Sequence, residues 1–66
     1  MQTKLLKSKM VLHGDTLKKL SEEMGLTVRA LCYKVNGKCQ FKADEIKIIK
    51  DRYGLSDSDV AEIFLQ

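Results

Sequence analysis

One stretch, Thr16 to Gly37 (TLKKLSEEMGLTVRALCYKVNG), constrains this chain more than any other. It reads as two short helices hinged at a glycine. Leu17, Leu20, Ser21 and Met24 fall at i, i+3, i+4 and i+7, the spacing of one helix face. Thr16 caps the front of that helix, with Asp15 beside it as the alternative cap. Gly25 stands where a helix ends in a left-handed residue, a conformation glycine adopts without a Cβ penalty. Leu26 follows as a buried plug, and Thr27 caps a second helix. Val28, Leu31, Cys32 and Val35 repeat the same face, and Asn36-Gly37 stops it.

Two helices joined by a turn of about three or four residues with a Gly in it form a helix-turn-helix unit. The second helix of such a unit lies in the DNA major groove. Ser21, Gly25, aliphatic Leu26, the Thr27 cap, aliphatic Leu31 and Asn36-Gly37 occur as a set. That set resembles the Cro/repressor-type (XRE-like) helix-turn-helix family of bacteriophages and bacterial regulators. The resemblance implies an all-α fold, a compact five-helix lambda-repressor-like/Cro-like domain, and it extends over nearly the whole chain. It departs from the family at Lys34, where an apolar residue is common; here the apolar residue is Val35. A step of about 100° per residue leaves Val35 within about 40° of Leu31, so the core face closes slightly rotated.

The flanking segments fit five helices. Residues 1–3 read as a frayed start and Lys4 to Leu12 as a first helix, with Leu5, Leu6, Met10 and Leu12 on its buried side. His13-Gly14-Asp15 is a turn, with His13 at the surface. Residues 38–42 form a loop tethered by Phe41. A helix from about Ala43 to Tyr53 faces the core with Ile46, Ile49 and Tyr53, and its Glu45 and Arg52 suit the helix dipole. Gly54-Leu55-Ser56 then repeats the sequence of stop, plug and cap. Ser56 and Asp59 approximate a capping box for a last helix, Asp57 to Leu65.

Sixty-six residues make one domain, 1–66, near the lower limit for a chain that folds alone. Charge is divided unevenly. Residues 1–42 hold nine Lys/Arg against three acids, a net of +6; residues 43–66 hold three against six, a net of −3. A basic part that coincides with the helix-turn-helix is the footprint expected of a nucleic-acid binder. The equal alternative on charge alone is ordinary solvation of a helical protein. No apolar run approaches the ~20 residues that span a bilayer, and no signal peptide is read at the start, so a cytoplasmic location, no membrane partner and reduced Cys32 and Cys39 are expected. One His and two Cys do not make a zinc site, and neither metal nor cofactor is expected. No nucleophile-and-base pair, phosphate loop or pocket of paired carboxylates suggests an enzyme.

With Leu31 at 0°, Arg29 sits near 160° and Tyr33 near 200°, opposite the core. Arg29 is also near the start of the reading helix, where side chains meet bases. Its planar fork matches the O6/N7 edge of guanine; the alternative is a grip on phosphate. Tyr33 suits a phosphate or sugar contact at the base-reading face. Ala30 and Val28 offer methyls to thymine, although Val28 serves equally as core. Thr16 and Thr27 stand at helix N-termini, and the resemblance implies that these clamp the DNA backbone. Asn36, Lys38 and Lys42 follow the reading helix as phosphate contacts, with Lys18 favoured over Lys19 as a further one.

These residues point to a sequence-specific transcriptional regulator on double-stranded DNA, and the resemblance implies the short, Cro-like repressor kind often encoded by phages. The alternative is a protein–protein module on the same scaffold, of antitoxin or antirepressor type. A palindromic operator and a weak homodimer, complete on DNA, are expected because one reading helix covers few base pairs. Phe64 and Leu65 are the candidates to meet the second chain, or else they fold back into their own core.

Overall fold

Two left-handed glycines divide the helices as the sequence implies. Gly25 (φ 68°) ends one helix and Gly54 (φ 62°) another. A side chain at this φ would crowd its own backbone, so glycine is the residue that turns the chain without strain. The computed structural model describes residues 1–65. Its helices are α1 Thr3–Leu12, α2 Leu17–Met24, α3 Val28–Val35, α4 Ala43–Tyr53 and α5 Asp57–Phe64, with no strand among the described residues. The Cα radius of gyration, 10.6 Å, is that of a close-packed globule of this length, about 11 Å.

The core is built from i, i+4 pairs: Leu6 and Met10 on α1, Leu31 and Val35 on α3, Ile49 and Tyr53 on α4. Leu20, Leu55 and Ile63 complete it. Each fully buried leucine or isoleucine contributes about 1.5–3 kcal/mol by leaving water. Ser21 is buried on α2, the helix that packs on α3, and its hydroxyl donates to the Lys18 carbonyl at 2.8 Å. A small residue is needed at that position, and the internal hydrogen bond lets a hydroxyl occupy it without stranding a polar atom.

Three local expectations are corrected. Leu12 is 74% exposed, because it lies about 200° around the helix from buried Met10. The N-terminus is not frayed: α1 starts at Thr3, and the Gln2 N–H donates to the Ile63 carbonyl at 2.8 Å, tying the chain start to α5. Leu26 is half-buried rather than a sealed plug, and the sealed one is Leu55.

Candidate nucleic-acid interface

The caps that position α3 are formed as the sequence requires. The Thr27 side-chain oxygen accepts from the Ala30 N–H at 3.1 Å, and that of Thr16 accepts from the Lys19 N–H at 3.2 Å. Each satisfies one of the free N–H groups at its helix start. Leu31 and Val35 anchor the inner face of α3. The outer face therefore carries Val28, Arg29 and Tyr33, all exposed, with Ala30 half-buried at its edge. Val28, left between core and surface by its spacing, is 45% exposed.

Arg29 and Tyr33 are brought together. Arg29 Nε donates to Tyr33 Oη at 3.0 Å, and the guanidinium carbon stands 5.7 Å from the Tyr33 ring centroid. Lys38, just past the helix, places Nζ 5.8 Å from the same centroid. Two cations and an aromatic ring thus share one exposed surface. Among the described residues, Lys18, Lys19, Arg29, Lys38 and Lys42 form no ion pair with an acid.

Lys34 is different. Its Nζ lies 2.9 Å from Glu45 Oε1 and donates to the Gln40 carbonyl at 3.1 Å, and both charged side chains are largely buried. The same Glu45 oxygen accepts from the Lys42 N–H at 2.8 Å, the carboxylate half of a capping box for α4. Burial pushes the Glu45 carboxyl pKa up, but the bonds from Lys42 and Lys34 outweigh it and the net direction is down. Lys34 thus pins the loop bearing Lys38 and Lys42 between α3 and α4.

A second cluster ties the residues just before α2 to the end of α4. Asp15 accepts from Arg52 Nε at 2.7 Å, Arg52 Nη2 at 3.0 Å, Tyr53 Oη at 2.7 Å and the Thr16 N–H at 3.1 Å. The Arg52 guanidinium, chiefly, holds the Asp15 carboxyl at about 2, against an ordinary 3.8; the Tyr53 and Thr16 bonds lower it further, against the opposing effect of burial. Burial pushes the Tyr53 phenol up, and the bond to Asp15 adds to it. His13 is exposed and stacks on Tyr53, with centroids 5.0 Å apart. Asp15 and Arg52 lie 37 positions apart, and nothing local in the sequence marks the pair.

The remaining expected residues are dispersed. Thr16 and Lys18 are exposed at the start of α2, and Lys42 is exposed at the start of α4. Asn36 is exposed and bonded within its own chain: its Oδ1 accepts from Lys7 Nζ at 2.7 Å, and its Nδ2 donates to the Cys32 carbonyl and Sγ at 2.9 and 3.2 Å. Cys32 is half-buried and Cys39 exposed, both free. Phe64 is half-buried and meets Phe41 edge-to-face at 5.4 Å, whereas Leu65 is 75% exposed. The two line a groove of about 390 Å³ with Met1, Phe41 and Ile46. Among the described residues no group of His, Cys, Asp and Glu is arranged to hold a metal, and no helix is long and apolar enough to cross a membrane. No family model, curated protein or solved structure matches this chain.

Proposed function

We propose that this chain is a sequence-specific DNA-binding transcriptional regulator of the short Cro/repressor kind, with α2 and α3 as its helix-turn-helix unit. The observation that carries the reading is the outer face of α3: exposed Arg29 and Tyr33 with Lys38 beside them, cations that have no acidic partner among the described residues, on a helix anchored from behind by Leu31 and Val35. A rigid helix with free donors on its far side is what major-groove reading requires. Arg29 reads guanine, and the methyls of Val28 and Ala30 lie toward thymine. Thr16 and Thr27 bring helix N-termini to the phosphates, and Lys18, Lys38 and Lys42 grip the backbone. Asn36 serves that grip through Lys7, whose ammonium it orients. Two copies meet on a palindromic operator through exposed Leu65, with Phe64 behind it.

The test is a duplex titration across a range of salt, using sites selected from a random pool. Log affinity should fall with log salt at about 0.9 per phosphate neutralised. Lys38→Ala and Lys42→Ala should each flatten that slope by about one while weakening all sequences alike. On a palindromic site Leu65→Ser should abolish cooperative filling of the half-sites. A slope near zero, or no duplex binding at low salt, refutes the proposal.

A further inference from the structure

Tyr33 and Arg29 stand four residues apart on α3, one helical turn, so their side chains meet on the outer face. Arginine offers a planar acceptor two bidentate edges: one made by Nε and one Nη, the other by the two terminal Nη groups. The 3.0 Å bond from Nε to the Tyr33 hydroxyl occupies the first edge. The terminal pair remains, with no hydrogen bond or ion pair among the described residues. The guanidinium carbon stands 5.7 Å from the ring centroid, beside the hydroxyl, so the ring limits how far the fork can swing. An unrestrained arginine samples many rotamers and loses that freedom on binding; one held by a neighbour has lost part of it beforehand. Lys38 Nζ stands 5.8 Å from the same ring centroid, so two cations neighbour the tyrosine in the free protein.

We infer that Tyr33 is a positioning residue: it fixes the Arg29 fork end-on for the O6/N7 edge of a guanine and does not itself contact DNA. This rests on the reading of α3 as the DNA-reading helix. It replaces a direct phosphate or sugar contact for Tyr33 with an indirect role in specificity.

The experiment is a double-mutant cycle on Arg29→Ala and Tyr33→Phe, measured on the best selected duplex, on the same duplex with the guanine pair replaced, and on non-specific duplex. Tyr33→Phe keeps the ring and removes only the hydroxyl, so the fold is preserved, which circular dichroism and thermal unfolding verify. Tyr33→Phe should weaken the best site about three- to tenfold, lower discrimination at the guanine pair by the same factor, and leave non-specific binding unchanged. In the Arg29→Ala background it should have no effect. In the free protein, the Arg29 Nε–H should exchange with solvent several-fold faster in Tyr33→Phe than in the parent. Equal losses on specific and non-specific duplex, or the same loss with Arg29 already removed, would mean that Tyr33 touches DNA itself and would overturn the inference while leaving DNA reading intact. An unchanged affinity and unchanged exchange rate would also overturn it. A parent protein that binds no duplex at low salt would overturn both.

Discussion

The chain turns twice by the same local device and uses the result differently. Gly25-Leu26-Thr27 and Gly54-Leu55-Ser56 each place a left-handed glycine after a helix. In each the leucine N–H returns to a carbonyl five residues back, Leu26 to Ser21 and Leu55 to Lys50, both at 2.9 Å. In each the hydroxyl residue caps the next helix at 3.1 Å. Beyond that the two diverge. Leu55 is 6% exposed and Leu26 half-buried. The first turn of α5 holds Asp57 and Asp59, whereas that of α3 holds no acid. The positive end of the α5 dipole is answered within its own helix, and that of α3 is left open to an external anion. The same backbone code thus makes one turn a structural corner and leaves the other helix available to a partner.

The largest effect that sharpens this contrast is on the two leucines. Leu55→Ala removes a sealed side chain and should cost about 3 kcal/mol, within the usual range for buried leucine. Leu26→Ala, at a half-buried site, should cost about half as much. Urea unfolding with an unchanged m-value reads both. Equal losses would mean that the turns bear equal shares of the core and that the contrast lies only in charge.

Next is the tie between the segments that precede the two turns. Asp15 stands before α2, and Arg52 and Tyr53 stand just before Gly54. Its carboxyl is held at about 2 in the folded chain against an ordinary 3.8. A depressed carboxyl stabilises the fold above the unfolded value and loses that contribution as pH falls through the folded one, here from about 4 down to about 2. The contribution is about 2 kcal/mol at neutral pH, since one pKa unit is about 1.4 kcal/mol. Asp15→Asn should remove that amount at pH 7 and flatten the acid limb of stability between pH 4 and 2, measured by chemical unfolding at stepped pH. An unchanged acid limb would assign acid sensitivity to Glu45 instead, whose carboxyl is also lowered.

What could be read from the sequence follows the range of the interactions. Helix faces, left-handed glycines and hydroxyl caps depend on residues within about one turn, and their periodicity gave five helices and the Leu31–Val35 anchor in advance. The local reading failed where an exposed alternative was equally periodic: Leu12 looks like core on hydropathy and lies on the wrong side of α1. Side chains with distant partners were not legible. Arg52 stands in the last turn of α4, where it suits the dipole, and its bond to Asp15 was the part that spacing did not show. Lys34 stood out only as a charge beside a slightly rotated core face, and it is buried against Glu45. Asn36, read from sequence as a phosphate contact, is exposed and also bonded to Lys7 and Cys32. In each case residue type fixed the chemistry on offer, and only the packed fold decided which partner received it.

The smallest effect tests the contrast at its most local point, the two caps. Removing a Ser or Thr cap usually costs about 1 kcal/mol. At α3 the Thr27 oxygen is the cap, and no first-turn acid stands behind it. At α5 the Asp59 carboxylate also accepts from the Ser56 N–H at 3.2 Å, a bond that survives when Ser56 becomes Ala. Thr27→Ala should therefore cost about 1 kcal/mol and Ser56→Ala about half of that, resolved by thermal unfolding of the two variants side by side. Binding should separate them further. Ser56→Ala should leave duplex affinity unchanged. Thr27→Ala should weaken specific and non-specific duplex to the same degree, because a loosened first turn presents its N–H groups to a phosphate less well whatever the sequence. Thr27→Ser, which keeps the capping oxygen, should restore both stability and affinity. If Ser56→Ala weakens binding as much as Thr27→Ala does, the open N-terminus of α3 has no special role with DNA, and the two turns differ only in how deeply their leucines are buried.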